Sequence, residues 1–206
     1  MKKSASIIAF TLLSMFPKSA AIADGAMFPF QLPDCSAAMT LSAPDDFVGG
    51  TSRKELVDQF VPYMFKDAEG VLAMTAPKRP RLVLVVFQPG GSRAGQDTIT
   101  PEQFENIKSQ IGARNPSDAV VEANDFLKDQ GSSVNDYDGF VVSSTDNSAS
   151  VTLVVNGTTT GADFASLLGS KVIYSDHCLV GVMLIAPASS ISRKEFEELV
   201  QYLSVQ

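Results

Sequence analysis

Between residues 139 and 186 the chain carries four short stretches rich in β-branched and aliphatic residues, at 139–143, 150–155, 171–174 and 178–186, with no helix-period segment between them. Strands joined as closely as the first two and the last two run antiparallel, because a parallel pair needs a crossover of a dozen residues or more, and an antiparallel sheet is the economical arrangement of all four. Asp146-Asn147 fits the turn of a hairpin joining the first two. Upstream, Arg81-Leu82-Val83-Leu84-Val85-Val86-Phe87 is nearly continuous in apolar and β-branched side chains. That pattern predicts a strand buried on both faces.

Helix signals flank this block. Ser52-Arg53-Lys54-Glu55 has capping-box spacing and precedes Leu56, Phe60 and Met64 on one face, with Pro62 ending or kinking the helix early. Thr100-Pro101-Glu102-Gln103 combines an N-cap, a proline at the first helical position and a capping-box glutamine, followed by Phe104, Ile107 and Ile111. Ser117 is expected to cap a third helix, with Val120, Val121, Asn124 and Leu127 on its inner side and Gly131 at its end. The box Ser192-Arg193-Lys194-Glu195 opens a final helix carrying Phe196, Leu199, Val200 and Leu203. The expected fold class is α+β, a central, mostly antiparallel sheet of about five or more strands flanked by helices as an α/β/α sandwich. No internal repeat or inter-domain linker interrupts it.

The first residues follow a different plan. Lys2 and Lys3 precede an apolar run at 5–16, then small residues ending in Ala21-Ile22-Ala23. This is the layout of a secretory signal, with small residues one and three places before the cut. A run of that length falls short of the roughly 20 residues a spanning helix needs. The expected organisation is therefore a signal peptide at 1–23 cleaved after Ala23, an arm at 24–50 rich in proline and glycine with a short strand near Met39-Thr40-Leu41, and one α+β domain at 51–206. The expected location is the periplasm, with secretion as the alternative destination. Cys35 follows Leu32-Pro33-Asp34, which lacks the small residues of a lipid-attachment site.

The whole chain has 16 basic and 23 acidic side chains, a net charge of −7. Loss of the leader removes Lys2, Lys3 and Lys18 and no acid, so the mature net charge becomes −10. This excludes a protein that grips nucleic acid through a basic surface. The short basic cluster Lys78-Arg79-Pro80-Arg81 lies at a strand entrance and fits a solvated edge.

Two cysteines in an exported chain are normally spent on a disulfide. Cys35 and Cys178 allow one connectivity, closing a loop of about 140 residues that in the chain-entropy model contributes about 4 to 5 kcal/mol. The rival role, a Cys178 nucleophile served by His177, fails if both lie in an extended strand, where neighbours point to opposite faces.

Other chemistry is thinly represented. One histidine and two distant cysteines give almost no material for zinc. Asp136-Tyr137-Asp138-Gly139 begins like a calcium loop but lacks the later ligands, which leaves a solvated turn entering a strand. Neither a metal nor an organic cofactor is expected. The loop Gly90-Gly91-Ser92-Arg93-Ala94-Gly95 has no Lys-Ser/Thr pair to close a phosphate cradle and no nucleophile-elbow spacing, so Ser92 and Arg93 stand as a candidate surface loop for an acidic partner. Asn156-Gly157-Thr158 matches a glycosylation acceptor, expected as a turn after a strand.

The order of the helix at 102–112, the paired strands at 140–144 and 151–155, the strand at 178–186 and the ending Phe196 to Leu203 resembles the small α/β/α sandwich of the PsbP/Mog superfamily, which includes bacterial exported members. The resemblance covers about half the chain and is one of pattern. It implies a non-catalytic accessory or protective protein and transfers no site residue. The leading expectation is an exported protein that binds another envelope protein or an effector, in an accessory or immunity-type role, with no nucleic acid and no membrane span. A periplasmic hydrolase with a site near Ser92 and His177, and a small-molecule carrier with a cavity between sheet and helices, are the alternatives. No catalytic residue is assigned.

Overall fold

The computed structural model describes residues 25–50, 69–78, 82–89, 99–113, 115, 117, 124, 132–159 and 162–206. The described strands are β1 (Ala26–Gln31), β2 (Ala38–Ala43), β3 (Val48–Gly50), β4 (Glu69–Thr75), β5 (Val83–Gln88), β6 (Ser132–Ser144), β7 (Ser148–Thr159), β8 (Ala162–Ser175), β9 (Cys178–Pro187) and β10 (Ser204–Val205). The described helices are α1 (Pro101–Ala113) and α2 (Arg193–Tyr202). Seven strands form one antiparallel sheet in the order β3-β4-β5-β9-β8-β7-β6, and β1, β2 and β10 form a second in the order β1-β2-β10. The fold is α+β, with antiparallel sheets flanked by helices.

Strand alternation decides which side chains meet. Leu84, Val86, Val180, Val182, Leu184, Leu167 and Ile173 point to the face covered by α2 and the small sheet, where they join Phe196, Leu199, Val200, Met39 and Leu41 in one buried cluster. Gly169 lies beneath α2, and a Cβ there would come within 2.4 Å of a Val200 methyl, so the glycine sets how closely the helix can approach. On the opposite face Ala73, Val85, Phe87 and Met183 form a second buried cluster. Phe87 lies across from Gly181 in the β5–β9 ladder, and its ring fills the space a Cβ would need, within 2.3 Å.

Both described helices start as their sequences dictate. In α1, Gln103 donates its backbone N–H to Thr100 Oγ1 at 3.3 Å while Gln103 Oε1 accepts from Thr100 N–H at 2.8 Å, a reciprocal box. Only Phe104 of α1 is fully buried; Ile107 and Ile111 are half-buried, so this helix is more peripheral than its apolar spacing predicts. Ser192 caps α2 by accepting from Glu195 N–H.

Several expectations are corrected. Asn115, not Ser117, supplies the capping oxygen of the next helical segment: Ser117 is itself helical and donates its backbone N–H to Asn115 Oδ1 at 3.1 Å. β4 had no sequence forecast. The strands β6, β7 and β8 run well past their expected limits, and Asp136-Tyr137-Asp138-Gly139 and Asn156-Gly157-Thr158 lie inside β6 and β7 rather than in turns. The helix expected from Ser52, most of the third helix, and Arg79, Pro80 and Arg81 fall outside the described residues, as do Ala21, Ala23, Ser92 and Arg93.

Candidate interaction surface

Cys35 and Cys178 are joined in a disulfide, with Cα atoms 6.3 Å apart and both residues buried. Cys35 sits in the turn between β1 and β2, where its N–H donates to Leu32 O. The same turn is held by Gln88, whose side chain accepts from Asp34 N–H at 3.1 Å and donates to Asp34 Oδ2 at 2.6 Å. The bridge thus ties the β1–β2 connection to the start of β9.

His177 lies in the two-residue turn between β8 and β9, not in an extended strand. Ser175 pairs with Cys178, and Asp176 and His177 both adopt left-handed backbone angles, with φ of 47° and 63°. His177 and Cys178 are therefore not successive residues of one extended strand, and it is the disulfide that removes the Cys178 thiol. His177 Nδ1 lies 3.1 Å from Tyr174 Oη, whose hydroxyl donates to Ile99 O at 3.0 Å. Which of the two donates in the His177–Tyr174 contact depends on the imidazole tautomer. Tyr174 also stacks on Phe104 with ring centroids 5.3 Å apart, and Ile99 N–H donates to His177 O. These contacts fasten the start of α1 to the turn. Among the described residues no serine hydroxyl or carboxylate is hydrogen-bonded to the imidazole, and none of the described His, Cys, Asp and Glu residues gather in a metal-holding group.

The titratable group with the most unusual setting is Lys171, which sequence reasoning treated only as part of a strand. It is 5% exposed and shares the α2-facing side with Ser150, its partner across the β7–β8 ladder. Its ammonium donates to Val200 O, Gln201 O and Leu203 O at 3.2, 2.8 and 2.7 Å. Three donors meet three carbonyls at the end of α2, where the helix leaves such groups unpaired and its dipole favours a cation. Burial pushes the amine down to about 8. Ser150 instead engages Gln201 Nε2 and Ser143 O. Lys171 is accordingly the C-terminal cap of α2. The available signal was its position in Leu167, Gly169, Lys171, Ile173, an alternating set that faces inward.

The outer margin of the seven-stranded sheet is β6. Thr145 N–H donates to Ser148 O at 2.8 Å, which makes 145/148 a hydrogen-bonded pair. Alternation then assigns Ser143/Ser150 and Val141/Thr152 to the bonded class and turns the backbone groups of Val142 and Ser144 away from β7. Among the described residues no strand pairs with this outer edge. Farther along β6 the edge is already occupied. Asn124 Oδ1 accepts from Val134 N–H at 2.6 Å and its Nδ2 donates to Val134 O at 2.8 Å, while Arg193 Nη2 donates to Gly139 O at 2.6 Å. The ladder is interrupted between Val134 and Asp136 and between Asp138 and Val141. Gly139 takes φ of 62° at the second interruption, and the Arg193 guanidinium fills the place of a side chain. Among the described residues, the stretch from Phe140 to Ser144 is left open, with Val141 40% and Val142 38% exposed on opposite faces.

No family model matches the chain, and no curated protein matches it by sequence. It has a weak structural similarity to the crystal structure of LpqN, a protein involved in cell envelope biogenesis of Mycobacterium tuberculosis, at 12% identity over 88% of this chain and 91% of that one, with a TM-score of 0.31. That likeness assigns no residue a role. No helix among the described residues is long and apolar enough to cross a membrane.

Proposed function

We propose that this chain is an exported, non-catalytic protein of the bacterial envelope that acts by binding another protein, as an accessory subunit or as an immunity-type blocker of an effector. The observation that carries this is the β6 margin, where an open strand edge coincides with exposed Val141 and Val142. The buried Cys35–Cys178 disulfide suits an oxidising compartment, and the leader-like start with its Ala21 and Ala23 cleavage pattern suits delivery to the periplasm. The acidic balance of the mature chain favours a basic partner, whose approach it would steer. The likeness to PsbP- and Mog-type sandwiches belongs to the same proposal, since it implies accessory or protective proteins.

Expression of the full chain in a bacterial host tests both halves. Amino-terminal sequencing of the envelope fraction should give Asp24 as the first residue, and chemical cross-linking to envelope proteins should give a discrete partner band that weakens as salt is raised. Retention in the cytoplasm with the leader attached, or no cross-linked partner at low and moderate salt, would overturn the proposal.

A further inference from the structure

We infer that the open edge of β6 between Phe140 and Ser144 is the docking site for an extended, basic segment of the partner, which adds as a strand to the seven-stranded sheet. This rests on the protein-binding function proposed above and names the surface and the chemistry of its occupant. The outward N–H and C=O groups of Val142 and Ser144 supply the backbone ladder, and five residues at about 3.3 Å each give a track of roughly 17 Å. Val141 and Val142 project to opposite faces, so alternate side chains of an added strand would each find an apolar neighbour.

Charge selects the occupant. Asp136 and Asp138 precede the open stretch on β6 and Asp146 follows it in the turn. Among the described residues, the two cations that reach the ends of the stretch are both engaged: Arg193 with Glu197 Oε1 and Gly139 O, and Lys108 with Glu105 and the carbonyls of Thr145 and Asp146. A segment alternating Lys or Arg with aliphatic residues complements this margin. A second copy does not, because antiparallel self-pairing centred on Val142 brings Asp138 of each copy close to Asp146 of the other, a like-charge opposition that destabilises paired strands. The occupied groups of Val134 and Gly139 limit the track at one end and the β6–β7 turn limits it at the other.

The probe is a short synthetic peptide of alternating lysine and valine, blocked at both ends and titrated against the mature chain by fluorescence anisotropy. Saturable binding is expected, with slower hydrogen exchange at the Val142 and Ser144 amides, and with affinity at least about tenfold above that of the same peptide carrying glutamate for lysine. Val142→Pro removes an outward donor without touching the β6–β7 ladder and should lower affinity at least about tenfold. A peptide N-methylated at alternate positions removes the same bonds from the ligand side and keeps the test decisive should the proline variant unfold. Equal binding of the acidic peptide overturns the inference. So does unchanged binding by both the proline variant and the N-methylated peptide, or self-association of the wild type that Val142→Pro abolishes. If the partner cross-link survives in Val142→Pro, the edge assignment falls and the protein-binding function stands; if the wild type cross-links to nothing, that function falls while the peptide titration still decides the edge.

Discussion

Lys171 shows how one side chain can fix the end of an element and leave a pH signature. Its amine titrates near 8 in the folded chain against an ordinary 10.5, so between those values the unfolded chain binds more protons. Stability should therefore rise with pH across that window, by up to about 3 kcal/mol, and level off outside it. A pH series of urea midpoints on the wild type and Lys171→Met should show this slope in the first and not the second. Lys171→Ala, which strips three carbonyls of their donor and leaves a hole, should cost about 2 to 4 kcal/mol near neutral pH. The β8–β9 turn offers the opposite sign. Asp176 and His177 hold positive φ without being glycine, in a two-residue turn whose favoured sequence is Asn-Gly. The double variant Asp176→Asn, His177→Gly should raise stability by about 1 kcal/mol despite loss of the Tyr174 contact, read as a higher urea midpoint. The lysine was hard to foresee because its acceptors come from a helix some 30 positions away in the chain, whereas strand alternation alone would have placed it inside.

Elements were legible in proportion to how local their causes are. The boxes at Thr100 and Ser192 announce α1 and α2 because the cap oxygen and the N–H that donates to it lie three residues apart. The disposition of strands 139–186 into one antiparallel block was equally readable. Their lengths were not, because the added stretches, 132–138 of β6, 156–159 of β7 and 162–170 of β8, are rich in Ser, Asp, Asn, Gly and Thr, which weaken the apolar pattern of a strand. β4, with Gly70, Ala73 and Met74, has few of the side chains that advertise a strand, and pairing with β5 overrides that preference. The packing of β5 on β9 gives a direct check. Gly181→Ala forces a methyl into the Phe87 ring and should cost about 1 to 3 kcal/mol, with Phe87 signals shifted in an NMR spectrum. The β6 margin was the least legible part of the candidate site, since its openness depends on Asn124 and Arg193 reaching across from other elements and stopping short of Val142.

For the molecule as a whole, the disulfide spans 143 positions. Replacing both cysteines by alanine should lower stability by about 5 kcal/mol in the chain-entropy model, read as a fall in urea midpoint with the slope retained. A much smaller loss would mean that Gln88 and the small sheet already hold the β1–β2 turn when the bond is absent. That sheet joins the two ends of the described chain: β2 lies between β1 and β10, and Thr40 and Gln206 exchange both backbone hydrogen bonds, at 2.8 and 3.0 Å. The second edge of the middle strand, β2, is thus paired by residues 204–206. That ladder closes between residues more than 160 positions apart in the chain, so the loop-closure entropy of a long-range contact must be met before the small sheet is complete, which makes its third strand a late step in folding.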